Sequence, residues 1–315
     1  MHRQHPRVAL VFTLFASIFA ASADGAPLQR GLFTPRQPGA AGATRFAVIG
    51  DQGTGDAFEH AMTARMAKVH DARPFAATLM LGDNVYNRGE VGKFDGAIKA
   101  PFAGLLSRGV RLYGILGNHD VRTQRGEAQL SYLGQGKQHW WKTTLADGDV
   151  DVFGLDTTLL VKDPKAHRAS DEAWRTSMGQ KQLVWLERAL EKSDATYKVV
   201  VGHHPMYSSG NRQDERSELK GKLEDLLVEH GVDAYLAGHQ HVYERREPKR
   251  GITHIVSGNG ARQEHPTVGR GRLPRVRSHD NEFMLFEAKP DGLAFQALGV
   301  DGRVIDEGVL APKRR

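Results

Sequence analysis

The chain has 315 residues, 40% of them hydrophobic and 8% aromatic, which is ample for a buried core and reads as globular. It contains no cysteine. That excludes disulfides, thiolate metal sites and a lipid-modified cysteine, so any metal here must be held by oxygen and imidazole ligands. The 43 Lys and Arg exceed the 37 Asp and Glu to give a net +6. This mild excess suits anionic partners without requiring nucleic acid.

In chain order, Arg3 and Arg7 precede an apolar run from Val8 to Ala21 that ends in Ala21-Ser22-Ala23. That is the layout of a signal peptide over residues 1–23, with cleavage expected after Ala23. The run is well short of the ~20 apolar residues that span a bilayer, so no stable membrane insertion is expected after cleavage. The chain is expected to be exported, to a periplasm or to the exterior. Loss of residues 1–23 removes two arginines and no acid, lowering +6 to +4. Residues 24–44 carry Pro27, Pro35 and Pro38 among Gly and Ala and read as a flexible leader. One domain is expected over residues 45–311, followed by a basic tail at 312–315.

Within the domain short apolar runs alternate with helical stretches. Phe46 to Ile49 reads as a strand, Phe58 to Val69 as a helix, Thr78 to Leu81 as a strand, Phe94 to Leu106 as a helix and Arg111 to Leu116 as a strand. Strands are expected at His139 to Thr143 and Val150 to Leu155, then a helix at Gln180 to Glu191 and a strand at Tyr197 to Val201. Glu218 to His230 reads as a helix. Ala234 to Ala237, Thr253 to Val256, Phe283 to Glu287 and Leu293 to Leu298 read as strands. The alternation argues an α/β fold.

Five polar clusters each begin just after one of these strands: Gly50-Asp51-Gln52-Gly53, Gly82-Asp83-Asn84-Val85-Tyr86, Gly117-Asn118-His119-Asp120, Gly202-His203-His204-Pro205 and Gly238-His239-Gln240-His241. In α/β sheets the loops beyond the carboxyl ends of strands converge, so clusters distant in sequence would meet in one crevice. Any one of them alone is an ordinary turn or a lone histidine. Five in order, each offering metal-ligand atoms at a strand end, are not explained that way.

These motifs resemble the calcineurin-like metallophosphoesterase superfamily over Arg45 to about Ala261. Gly53 stands where most members place a ligand histidine, and Tyr86 follows Asp83 by three residues; this pairing is similar to the small, single-domain purple acid phosphatases. The resemblance implies a four-layer α/β/β/α sandwich of mixed sheets with a dinuclear metal centre. It would put Asp51, Tyr86 and His241 on the first metal, Asn118, His203 and His239 on the second, and Asp83 between them. A phenolate with carboxylates suits a hard trivalent ion, and imidazoles with an amide oxygen a divalent one. Iron(III) with a divalent iron, zinc or manganese is therefore expected.

The activity so implied is hydrolysis of small phosphate monoesters by a metal-bound hydroxide, as in an acid phosphatase. His119 would stabilise the transferring phosphoryl group or protonate the leaving alcohol, and Asp120 would orient its imidazole. The family commonly carries another substrate-facing histidine nine residues after the ligand histidine. This chain has Arg212 there, and Asn211 with Arg212 are the candidate phosphate contacts. Rival readings are phosphodiester or nucleotide hydrolysis on the same metals, and a non-catalytic phospho-ligand binding protein. The basic stretch with Arg262, Arg270, Arg272, Arg275 and Arg277 is expected to be a solvated loop rather than a nucleic-acid surface.

Overall fold

The computed structural model describes residues 44–163, 166–210, 213–262, 274–289 and 291–313. The expected signal peptide, the leader as far as residue 43, and Arg314 and Arg315 of the basic tail lie outside the described residues. So do Asn211, Arg212, Arg270 and Arg272.

Strands β1 (Arg45–Ile49), β2 (Ala77–Met80) and β3 (Arg111–Gly114) run parallel in one sheet. The second sheet holds β4 (Trp141–Leu145), β5 (Val150–Leu155), β6 (Tyr197–Gly202), β7 (Ala234–Ala237), β8 (Tyr243–Arg245), β9 (Thr253–Ser257) and β10 (Val276–Ser278). Its order is β10-β8-β9-β7-β6-β5-β4, with β5, β6, β7 and β9 parallel. The chain then returns to the first sheet as an antiparallel meander, β11 (Glu282–Lys289), β12 (Gly292–Gly299) and β13 (Val304–Leu310), and β11 pairs antiparallel with β1. The first sheet is thus ordered β13-β12-β11-β1-β2-β3.

Side-chain alternation sorts each strand between two buried faces. Phe46 and Val48 of β1, with Met284 and Phe286 of β11, point inward against Val152, Val199, Val201, Leu236 and Ile255 of the opposite sheet. Phe46 and Phe286, directly cross-strand, stack at 5.0 Å between ring centroids. Ala47 and Ile49 point outward against Met62, Met66 and Val69 of helix α1 (Ala57–Ala72) and Phe102 and Leu105 of α2 (Ala100–Leu106). A shorter helix, α3 (Glu127–Tyr132), sets Leu130 beside Leu116 and Val121. The outer face of the second sheet is covered by α4 (Glu172–Glu191) and α5 (Gln213–Glu229). Leu219, Leu223 and Leu227 of α5, spaced by four residues, are fully buried there, each contributing about 2 kcal/mol of apolar burial. The result is the expected α/β/β/α sandwich.

Element limits depart from the sequence expectation where local chemistry overrides apolar spacing. The stretch from Phe94 to Leu106 is not one helix. A π turn over Asp95–Lys99 precedes α2, and Pro101, which has no N–H to donate, occupies its first turn. Helix α4 begins eight residues before the expected Gln180, because its early buried face is Arg175 and Gly179 rather than apolar residues. The Arg175 guanidinium donates to the carbonyls of Leu159 and Val161. Strands β8, β10 and β13 and helix α3 carry no strong apolar pattern and were not expected.

Helix α1 is capped by Asp56, whose carboxylate accepts from the amides of Phe58 at 2.9 Å and Glu59 at 3.2 Å. Glu59 in turn accepts from Gly55 N at 2.7 Å. Its side chain is fully buried, and Oε1 has no hydrogen-bond partner among the described residues. Burial pushes this carboxyl up to about 9, so it stays protonated in the fold. Between the ordinary glutamate value and about 9 the native state keeps a proton that the unfolded chain releases, so stability falls as pH rises through that window. Glu59→Gln keeps an acceptor for Gly55 N and removes the titration. It is expected to stabilise the protein by on the order of 1–3 kcal/mol at pH 8, with the gain vanishing towards pH 5, as read from urea unfolding at each pH.

Candidate metal centre

The carboxyl ends of β1, β2, β3, β6 and β7 meet at one edge of the sandwich, and hydrogen bonds between their loops lock the two sheets together. Asp51 Oδ2 accepts from His239 N at 2.7 Å and His203 Nδ1 donates to Leu81 O at 2.9 Å, both between the sheets, while Gly238 N donates to His203 O at 3.0 Å within the second sheet. Asp51, Asp83 and His239 adopt positive φ values of 55°, 52° and 69°. Side-chain-bearing residues adopt this left-handed conformation at a cost, and it persists where surrounding structure fixes it. Here it turns each side chain inward off its strand.

The donor atoms form two groups. In one, Tyr86 Oη lies 3.2 Å from Asp51 Oδ1 and 3.3 Å from His241 Nε2, and His241 Nε2 lies 3.5 Å from Asp51 Oδ1. In the other, His203 Nε2 lies 3.1 Å from Asn118 Oδ1, 3.2 Å from His239 Nδ1 and 3.5 Å from Asp83 Oδ1. Asp83 interacts with Tyr86 as well as His203 and so stands between the groups. All seven of the expected ligand residues are brought together.

The chemistry of this donor set fits a pair of cations. His203 Nδ1 carries the hydrogen it gives to Leu81 O, and His239 Nε2 faces the Glu215 carboxylate at 2.9 Å. In neutral imidazoles the two remaining nitrogens, His203 Nε2 and His239 Nδ1, therefore present lone pairs to each other and to two oxygens. Such an arrangement is repulsive unless a positive charge lies among them. Burial by itself disfavours the His203 imidazolium, yet Asp83 and Asp51 hold this imidazole above its ordinary value. A proton can thus serve where a metal would, and metal binding would release it. Burial also opposes ionisation of Asp83, but His203 and His119 hold its carboxyl below the usual range. Burial, with the carboxylates of Asp83 and Asp51, pushes the Tyr86 phenol well above its ordinary value. Only a strongly acidic cation would hold it as phenolate.

His119 lies at the mouth of the site. Its Nδ1 donates to Asn87 O at 2.7 Å, its backbone N donates to Asp83 Oδ1 at 2.9 Å, and its ring meets that of Tyr86 edge-on at 4.7 Å. Nε2 is 3.9 Å from Asp83 Oδ2. Asp120 does not orient this ring, contrary to the sequence expectation. Its buried carboxylate accepts from the amides of Gly117 at 2.9 Å, Val85 at 3.0 Å and Asn84 at 3.1 Å, and so ties the loop after β3 to the loop after β2. The turn at Gly117 to Asp120 sends adjacent side chains in opposite directions. Burial and the nearby Asp83 push the Asp120 carboxyl up to about 7 against the pull of those amides.

One participant was missed in the sequence, Glu215, and another, Arg262, was expected only in a solvated loop. Glu215, on the first turn of α5, sits in a polar run that signals only a helix start. Arg262 sets its guanidinium 4.7 Å from the centroid of the Tyr86 ring, within cation–π range. Beside the centre, His204 shares a short contact of 2.8 Å between its Nδ1 and Thr157 Oγ1.

A family model described as Calcineurin-like phosphoesterase matches residues 44–243. The chain belongs to this family and is a hydrolase of phosphate esters that works with metal ions at a dinuclear centre. Among individual proteins it is similar to Purple acid phosphatase 7 of Arabidopsis thaliana, with 31% identity over 269 residues, covering 80% of each chain. Two solved structures share the fold. GAP50, the anchor in the inner membrane complex of Plasmodium, superposes with a TM-score of 0.71 at 20% identity, covering 86% of this chain and 89% of that one. A purple acid phosphatase from yellow lupin (Lupinus luteus) seeds gives 0.70 at 18% identity, covering 85% of this chain and 53% of that one.

Gly53 leaves no room for a side chain beside the segment that carries Tyr86. A Cβ at this position would lie 2.0 Å from the carbonyl carbon and 2.1 Å from the oxygen of Asn84. The backbone that fills this space continues directly into Tyr86, whose amide donates to Gly53 O at 2.8 Å. Gly53→Ala must therefore push backbone against backbone. It is expected to destabilise the protein by about 1–3 kcal/mol in chemical denaturation and to displace the Tyr86 segment.

Proposed function

We propose that this chain is an acid phosphatase acting on small phosphate monoesters, with Asp51, Tyr86 and His241 as ligands of one metal ion, Asn118, His203 and His239 of the other, and Asp83 shared. The observation that carries the reading is the Tyr86 phenol, 3.2 Å from Asp51 Oδ1 and 3.3 Å from His241 Nε2, in a chain whose Gly53 leaves no room for a side chain. Carboxylates with a phenolate favour iron(III) on that side, and the imidazole and amide donors favour a divalent ion on the other. Similarity to Purple acid phosphatase 7 of Arabidopsis thaliana supports the same reading.

When bound, such a pair of ions supplies charge to clamp phosphoryl oxygens and acidity to generate a nucleophile from water. The protein's own groups do the rest. His119 Nε2, its ring oriented through Nδ1 to Asn87 O, is the atom that offers a hydrogen bond to the phosphoryl group or a proton to the leaving alcohol. Arg122 donates to the same carbonyl at 3.1 Å, and with Arg262 it gives the site's surroundings a positive character suited to an anionic substrate. Asn211 and Arg212 are further candidates for that contact. Among the described residues no helix is long and apolar enough to cross a membrane. We also read residues 1–23 as a signal peptide and place the enzyme in a periplasm or outside the cell.

Matched aryl phosphate monoester and diester substrates, assayed for kcat/KM from acidic to neutral pH on the metal-loaded chain without residues 1–23, test the reading. Monoester preference with an acidic optimum is expected, together with a loss of about 10²–10⁴-fold in kcat for His119→Ala. Diester preference would make the protein a phosphodiesterase, and binding without turnover a phospho-ligand binding protein. The iron assignment predicts a purple or pink protein whose visible charge-transfer band disappears in Tyr86→Phe. An active, colourless enzyme shown by elemental analysis to contain no iron would refute it.

A further inference from the structure

Helix α5 reaches the metal centre through Glu215. Glu215 Oε2 lies 2.9 Å from His239 Nε2, with the Glu215 side chain 18% exposed and that of His239 3% exposed. We propose that Glu215 is a positioning residue that sets the affinity of the second metal half-site by fixing the tautomer and orientation of His239. The inference rests on the dinuclear reading above.

An imidazole can present either nitrogen to a metal, and a ring carried on a left-handed backbone position has no regular strand to orient it. For His239 the backbone is held from one side, where its amide donates to Asp51 Oδ2 at 2.7 Å. The ring is confined by His203 and His204, whose centroids lie 4.9 Å and 4.4 Å away. None of these contacts selects the nitrogen that carries the hydrogen. A carboxylate only accepts, so Glu215 places the hydrogen on Nε2 and leaves the Nδ1 lone pair facing His203 Nε2 at 3.2 Å. A carboxylate behind a ligating imidazole also strengthens it as a donor, and loss of such a partner typically weakens metal binding about 10–100-fold. The donor atoms of His204, Glu215 and His239 all lie within 4.8 Å of one another. A separate cation site there is the competing arrangement.

The test is metal binding by the full mature chain, stripped of metal and titrated with zinc(II) and iron(III) alone under chelator competition. Ion content is read by elemental analysis, and thermal unfolding is recorded for the metal-free forms. Parent, Glu215→Gln, Glu215→Ala and the exposed control Glu229→Gln are compared. The parent and the control are expected to hold two ions. Glu215→Gln and Glu215→Ala are expected to keep one at parental affinity and bind the other about 10–100-fold more weakly, with unchanged metal-free melting. Parental affinity at both sites in the variants overturns the proposal. So does a third ion in the parent that Glu215→Gln abolishes, since it would reveal a separate site. Loss of the metal-free melting transition in both variants would make Glu215 a determinant of the fold, against this assignment. A parent that binds fewer than two ions would instead overturn the dinuclear reading beneath it.

Discussion

Everything in this molecule answers to the cost of crowding electron-pair donors at one edge of two sheets. Asp51, Asp83, Tyr86, Asn118, His203, His239 and His241 converge with closest separations of 3.1 to 3.5 Å, and few hydrogens lie between them. Such groups repel one another in the low dielectric of a protein interior. A rigid frame must hold them, and the apolar core between the sheets provides it. The interlocking loop hydrogen bonds then convert that rigidity into fixed donor positions. The three left-handed backbone positions in the centre fit this picture: their strain is sustained by the frame rather than relaxed locally.

The supporting groups divide the labour by charge. Asp120 is occupied by backbone amides and the Asn84 side-chain amide and knits two ligand loops together, so the family's Asn-His-Asp run contains a ligand candidate, a mouth residue and a structural anchor in consecutive positions. Adjacent residues on a tight turn thus belong to three different layers of the site. Tyr86 serves both the donor group and the mouth, since its ring supports His119 on one side and Arg262 on another. Phenol, imidazole and guanidinium are therefore placed by mutual packing as much as by hydrogen bonds.

Most of the frame was legible in the sequence because its central strands are buried on both faces and read as mainly apolar runs, as in Val150–Leu155 and Tyr197–Gly202, interrupted only by Asp151 and Lys198. The convergence of the candidate ligands was legible because their loops each follow such a run and a glycine. What was hidden lay where burial uses polar chemistry. The start of α4 buries Arg175, which bonds the backbone carbonyls of Leu159 and Val161 rather than an apolar surface. Strand β13 alternates weakly because it is an edge, with several positions partly exposed. Glu215 could not be seen, since its importance comes from the helix that delivers it and not from its neighbours in sequence. Asp120 was misjudged for the opposite reason: proximity in sequence to His119 does not survive the turn between them.

The candidate ligands lie between residues 51 and 241, yet β1, the strand that presents the first of them, has its antiparallel neighbour in β11, drawn from residues 282–289. During synthesis every candidate ligand therefore emerges before the sheet beneath the first of them can close. A nascent chain halted after β9 would carry the full complement of donors with one flank of β1 unpaired, and the inner face of that strand would lack Met284 and Phe286. Long-range pairing of this kind is slow to form and leaves an exposed edge while it waits. The order of the chain thus delays a finished metal centre until the last strands have arrived.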